Sequence, residues 1–231
     1  MSKVLIIGAG HAGGSVASYL RQYGFTGEIV LAGAERTAPY QRPPLSKAWL
    51  KGEADEQSLL LRSFDFYSNA NIELRLGATA TMIDRLTKQV TFADGHVEPY
   101  DYLVIATGSR ARRLSVSGGD DETLLELRSI SDADRLKASL GRGKRLAIIG
   151  AGYVGLEAAA SARALGAEAV IVERMDRVLQ RVASPPLSEF FARRHKAEGV
   201  DIRTGVEVVS VSGRAVHFAD GKVLELSLIH I

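Results

Sequence analysis

Two glycine clusters carry the first chemical signal in the sequence. Gly8, Gly10 and Gly13 recur as Gly150, Gly152 and Gly155, each trio in G-x-G-x-x-G spacing, with 142 residues between the copies. In a turn of this kind the first glycine lets the backbone double back and the second lets it approach a pyrophosphate. The third lets a helix pack close on a strand, so that the phosphate faces the helix N-terminus. Glu173 closes the apolar run that follows the second trio, where a carboxylate accepts hydrogen bonds from an adenosine ribose; Glu35 is its nearest counterpart after the first. A carboxylate there repels the additional phosphate of NADP and favours NAD, although Arg174, Arg177 and Arg181 stand near enough to offset part of that repulsion. Two such turns in one chain predict two bound nucleotides.

Other chemistries are excluded or unsupported. The 231 residues include no cysteine, which removes disulfide frameworks, thiolate metal sites and redox through a cysteine pair. The five histidines show no metal-ligand spacing. With 29 basic and 27 acidic residues the formal charge is +2, so no global field points to nucleic acid or to an anionic membrane, and a docking patch must be local. No signal-like segment opens the chain and no apolar run reaches membrane-spanning length, so a cytoplasmic protein without a membrane partner is expected.

The elements that must position these residues follow from the same repeat. Val4, Leu5, Ile6 and Ile7 lead into the first glycines, and Leu146, Ala147, Ile148 and Ile149 into the second. Short β-branched runs suit strands buried on both faces, and the Ala-rich stretches after the glycines suit helices. Residues 28–32 and 169–173 read as the second strands of each unit. Phe92, Ala93, Asp94 and Gly95 recur as Phe218, Ala219, Asp220 and Gly221, and each Asp-Gly marks a tight hairpin. A helix is expected over 131–140, with Ser131 as cap and Asp134 in its first turn, and another from Ser184 through Lys196. Residues 109–121, rich in Gly, Ser and Arg, are the expected crossing between domains. The fold predicted is α/β, made of two related Rossmann-like nucleotide-binding domains, the first begun by 1–112 and the second over 113–231.

A more specific signal lies in Pro39, Tyr40, Gln41, Arg42, Pro43, Pro44, Leu45, Ser46 and Lys47. This run resembles the YxRPPLSK segment of the oxygenase-coupled ferredoxin reductases, the flavoproteins that serve Rieske dioxygenases and bacterial cytochromes P450. Ala106, Thr107 and Gly108 match that family's ATG motif, and Gly155, Leu156 and Glu157 its GLE segment. The resemblance runs from Val4 to about Glu225, and implies that Gly8, Gly10, Ala12, Gly13, Arg42, Lys47, Ala80, Thr107, Gly108 and Arg128 surround FAD. It implies that Gly150, Gly152, Gly155, Glu157, Glu173 and Arg181 face NADH, so that 1–112 begin an FAD domain and 113–231 form an NAD domain inserted in it. Ala34 departs from the pattern, because many members carry an acidic residue there on the FAD ribose; Glu35 is the expected substitute.

The resemblance further implies that Lys47 and Glu157 meet at the flavin. A cation there favours the negatively charged reduced flavin, and a carboxylate keeps that cation positioned. The activity expected is hydride transfer from NADH to FAD, followed by single-electron transfer to an iron-sulfur ferredoxin. Arg110, Arg112 and Arg113, with Arg193, Arg194 and Lys196, offer a basic face for such a partner, although charge runs are usually solvated faces. A rubredoxin reductase, the flavoprotein part of a nitrite reductase, and an apoptosis-inducing-factor-like interaction module fit the same motifs. In the family a further segment completes the FAD domain and a C-terminal domain follows. The chain is therefore expected to be an N-terminal part that alone holds no FAD, with its second hairpin leading into no strand. Residues 226–231 match one reading frame of a common sequencing adapter and are expected to be a foreign tail.

Overall fold

The computed structural model describes residues 1–121 and 124–230, with His230 described by its backbone alone; Ile231, the last residue of the suspected tail, lies outside the described residues. The chain divides into two compact units: Met1–Arg42 with Asp55–Arg110, and Pro43–Ala54 with the chain from Ala111 onward.

In the first unit the strands are β1 (Lys3–Ile7), β2 (Glu28–Gly33), β3 (Ile72–Leu76), β4 (Ala80–Asp84), β5 (Gln89–Phe92), β6 (Val97–Pro99) and β7 (Tyr102–Ile105). A parallel sheet runs in the order β3-β2-β1-β7. Successive side chains of a strand point to opposite faces, so its apolar runs serve two cores at once. Val4, Ile6, Ile29 and Leu31 pack with Ala17 of the helix His11–Gln22 and Tyr67 of the helix Phe64–Asn69. Leu5, Ile7, Val30 and Ala32 pack with Val90 and Phe92 of the antiparallel β4-β5-β6 sheet. That small sheet is pinned by Glu98, only 4% exposed, whose carboxylate accepts hydrogen bonds from Lys3 of β1 and Arg75 of β3 and pairs with His96.

The second unit repeats the plan. Its strands are β8 (Leu124–Leu125), β9 (Arg145–Ile149), β10 (Glu168–Glu173), β11 (Asp201–Thr204), β12 (Val208–Ser212), β13 (Ala215–Phe218), β14 (Val223–Glu225) and β15 (Leu228–His230). The parallel sheet runs β11-β10-β9-β15-β8, and β12-β13-β14 form the antiparallel sheet. Leu146, Ile148 and Ile171 meet Leu156, Ala159 and Ala162 of the helix Tyr153–Ala164 on one face. Ala147, Val170 and Val172 meet Val211, Val216 and Phe218 on the other.

Three sequence expectations change. Pro43–Ala54 interrupts the supposed 1–112 domain and packs with the second unit, because Leu50 is fully buried against a core that includes Leu136, Leu146 and Leu156. Burial of one such leucine is worth about 1.5–3 kcal/mol. The second hairpin does lead into a strand: β15 pairs in parallel with β9 and β8, with Leu228 buried in one core and Ile229 in the other. The helix expected over 131–140 spans Ile130–Ser139 and is capped by Ser129 in a capping box with Asp132. Asp134, the residue expected to serve Ser131, instead accepts the indole N–H of Trp49 at 2.9 Å. The second-strand expectations hold, and Ser184 does open a helix, Pro185–Ala197.

Candidate functional site

The two glycine turns are built alike. Gly8 and Gly150 have φ of +110° and +114°, which L side chains rarely adopt, and their N–H groups donate to Ala32 O at 2.7 Å and Val172 O at 2.8 Å. A Cβ on Gly13 would lie 1.9 Å from Gly8 O, and one on Gly155 2.2 Å from Gly150 O, so only glycine lets each helix start so close to its strand. A Cβ on Gly152 meets nothing within 4 Å: the middle of this turn is open. Gly10 and Gly152 are the N-caps of the helices His11–Gln22 and Tyr153–Ala164, and neither helix has a side-chain cap. Their first N–H groups are therefore available to an anion. These residues fit dinucleotides: two uncapped helix N-termini, each behind a glycine turn, one with a cradle that a Cβ would fill.

In the first unit Ala12 lies exposed in the opening turn of its helix, and Thr107 and Gly108 lie exposed just after β7. Ala80 is half-buried at the start of β4, opposite Phe92. Glu35 and Arg42 are brought together: Arg42 Nη2 donates to Glu35 Oε1 at 2.6 Å, and the Tyr40 hydroxyl donates to Glu35 Oε2. The Arg42 guanidinium also lies over the Tyr40 ring, 5.1 Å from its centroid. Tyr40, which belongs to the YxRPPLSK-like run but had no role assigned to it, contacts both.

In the second unit Glu173 ends β10 and turns back to the glycine loop. Its Oε2 accepts the Ala151 N–H at 2.8 Å and its Oε1 the Met175 N–H at 2.9 Å, which fixes the carboxylate at the mouth of the turn. Leu179, in the left-handed region at φ +52° and 3% exposed, donates its N–H to Ala151 O at 2.9 Å and closes the loop from the other side. A leucine in that conformation has no sequence signature. Beside these groups opens a cleft of about 620 Å³, lined by Gly150, Gly152, Glu173 and Arg181 among others. Arg177 takes no part in it, because its guanidinium donates to Ala183 O, Ser188 Oγ and Gln180 O.

Lys47 and Glu157 do meet. Lys47 follows the 3-10 turn Pro43–Ser46, and Glu157 projects from the helix Tyr153–Ala164. Glu157 Oε2 accepts from Lys47 Nζ and from Ser46 Oγ, both at 2.6 Å, and Lys47 Nζ donates also to Pro43 O at 3.0 Å. Ser46, 5% exposed, is tied to the same helix through its carbonyl, which accepts from Ser161 Oγ at 2.7 Å. The Lys47 side chain is 48% exposed, so the pair adds little to stability; its value is a cation held in one place. Ser46 was the missed member of this group: it stands in the YxRPPLSK-like run, but no role was expected of it. Arg128 is half-buried just before the helix Ile130–Ser139, and its N–H donates to Asp132 Oδ2 at 3.2 Å. No group of histidine and carboxylate side chains suited to a metal ion occurs among the described residues, and none of their helices is long and apolar enough to cross a membrane.

Comparison with known proteins agrees with this architecture. The chain is 50% identical over 211 residues to a probable ferredoxin reductase, CtmF, of Castellaniella defragrans, covering 91% of this chain and 52% of that protein. It is 43% identical over 208 residues to putidaredoxin reductase CamA of Pseudomonas putida, covering 89% and 49%. The reductase in a covalent putidaredoxin reductase-putidaredoxin complex superposes with a TM-score of 0.94 at 40% identity, over 99% of this chain and 57% of that one. The chain thus spans about half the length of the curated relatives it matches. The family model for pyridine nucleotide-disulphide oxidoreductases matches residues 2–231. On its twin glycine turns, its repeated sheet plan and this match, the chain belongs to the pyridine nucleotide-disulphide oxidoreductase family.

Proposed function

We propose that the protein serves as an FAD-containing reductase that takes hydride from NADH and passes electrons one at a time to an iron-sulfur ferredoxin supplying a Rieske oxygenase or a cytochrome P450. The observation that carries this reading is the pair of equivalent uncapped dinucleotide turns in one chain, one for each nucleotide. Relatives named as ferredoxin reductases support the choice of partner. FAD, when bound, supplies the conversion between a two-electron donor and a one-electron carrier.

The chain's own residues bind and position. Gly8, Gly10 and Gly13 with the first uncapped helix would receive the FAD pyrophosphate, next to Arg42, which Glu35 and Tyr40 hold in place. Gly150, Gly152 and Gly155 would receive the pyrophosphate of NADH, with Glu173 accepting from the adenosine ribose. Lys47 would stabilise negative charge on the reduced flavin, and Glu157 with Ser46 keeps its ammonium from wandering.

The test is NADH oxidation by the full-length protein with and without an iron-sulfur ferredoxin. Oxidation that accelerates when the ferredoxin is added, with one FAD per chain, is expected. A protein that binds NADH but reduces no ferredoxin or other carrier would refute the reading and favour a nucleotide-sensing role.

A further inference from the structure

The helix Tyr153–Ala164 buries one hydroxyl that its packing does not call for. Ala158, Ala159 and Ala162 are fully buried in it, and Ser161 among them is 4% exposed. Alanine is the better helix former, and a buried hydroxyl is tolerated only when it is paired. Helical serines commonly pair with the carbonyl four residues back, as Ser18 does with Gly14 O and Ser139 with Arg135 O, both at 2.9 Å. Ser161 instead reaches across the chain: its Oγ donates to Ser46 O at 2.7 Å, 115 residues away in sequence.

That acceptor is one end of the peptide unit that joins Ser46 to Lys47. A peptide is planar, so fixing its oxygen and its N–H fixes the point from which the Lys47 side chain departs. Ser161 holds the oxygen, and the Lys47 N–H donates to Pro44 O at 3.0 Å. Glu157 stands four residues before Ser161, hence on the same helix face. Ser46 is therefore gripped twice by one helix, through its carbonyl by Ser161 and through its hydroxyl by Glu157, whose Oε2 it shares with Lys47 Nζ. Release of the carbonyl would let the turn Pro43–Ser46 lift from the helix and carry the lysine with it.

We propose that Ser161 is a positioning residue for the Lys47 ammonium, keeping the lysine-bearing peptide where Glu157 can hold the charge. It touches no reactant and acts through Ser46 alone. The proposal rests on the reading that Lys47 stabilises the reduced flavin.

Spectroelectrochemical titration of the full-length protein carrying FAD tests it. Ser161→Ala should shift the equilibrium between oxidised and reduced flavin by about threefold or more in the direction of Lys47→Met, which at roughly 30 mV per tenfold is about 14 mV. Ser161→Cys, which keeps the volume without a strong donor, should shift it equally, and so separates the lost hydrogen bond from a cavity. Once Lys47→Met is present, Ser161→Ala should add less than about 1.3-fold. In the protein freed of FAD, loosening from the carboxylate raises the neutral fraction of the Lys47 amine, so its acylation, read by peptide mass, should quicken by about twofold or more in Ser161→Ala. A lower melting temperature with an unmoved potential would overturn the proposal, as would an equal shift with and without Lys47→Met, or an unchanged acylation rate. If Lys47→Met itself leaves the potential unmoved, the flavin reading of Lys47 falls and the proposal with it; a shift for Lys47→Met alone refutes only the role of Ser161.

Discussion

Glu98→Gln isolates one buried charge whose worth can be worked out. Burial alone would push the Glu98 carboxyl up, but hydrogen bonds from Lys3, His96 and Arg75, with the charge of Arg75, outweigh it and hold the group at about 2 instead of 4.5. A folded-state value below the unfolded one means stability that is complete above pH 4.5 and drains away as pH falls toward 2. At about 1.4 kcal/mol per unit, the difference amounts to roughly 3 kcal/mol at pH 7 and roughly 1 kcal/mol at pH 3. Glutamine keeps the shape and cannot ionise, so the stability gap between the two proteins should shrink by more than half across that interval. Urea unfolding followed by backbone circular dichroism measures it. The fluorescence of Trp49, the one tryptophan, would report on the second unit, whereas Glu98 lies in the first. A gap that is the same at pH 7 and pH 3 would show that packing, not charge, makes Glu98 matter.

Gly152→Ala should leave the melting temperature nearly unchanged yet weaken ADP-ribose binding by about tenfold or more, because the added methyl fills space open to ligand and touches no protein atom. Gly155→Ala should instead destabilise the second unit by about 1–3 kcal/mol, since its Cβ would press on Gly150 O; an equal melting temperature for both variants would contradict the assigned roles. Glu173→Ala should raise KM for NADH more than for NADPH, because a ribose acceptor and a repelling charge leave together; an unchanged ratio of efficiencies would place Glu173 away from the ribose. Lys47→Met should leave FAD bound but lower its two-electron potential by roughly 20 mV for a contact worth ~1 kcal/mol, the lower end being appropriate to a half-exposed ammonium. An unchanged potential would remove Lys47 from the flavin.

The parts of this fold that can be read from sequence are those determined within a few residues. Gly8 and Gly150 announce their turns because the backbone there excludes other residues, and Val4 to Ile7 announce a strand because both its faces are covered. The helix cap was misplaced by two residues because Ser129 to Asp132 and Ser131 to Asp134 spell the same motif. What separates them is Trp49, which occupies Asp134 from 85 residues away. The family resemblance gave roles to Lys47 and Glu157 but none to Ser46, a member of the same run whose hydroxyl shares the same carboxylate oxygen. Pro43–Ala54 looked continuous with its neighbours because no local feature says which core Leu50 will enter.

That excursion of Pro43–Ala54 has a consequence for the order of assembly. During synthesis the segment leaves the ribosome ahead of Asp55–Arg110, all of which belongs to the other unit. At about 5–20 residues per second, the partners of Leu50, from Leu136 to Leu156, emerge several seconds later. Until then an apolar leucine and tryptophan stand on a loop with no core to enter. Nascent chains halted before residue 136 should therefore expose a sticky segment that chaperones of the exit tunnel can bind, and the second unit cannot be excised as a single continuous stretch of gene without losing Ser46, Lys47 and Leu50 together.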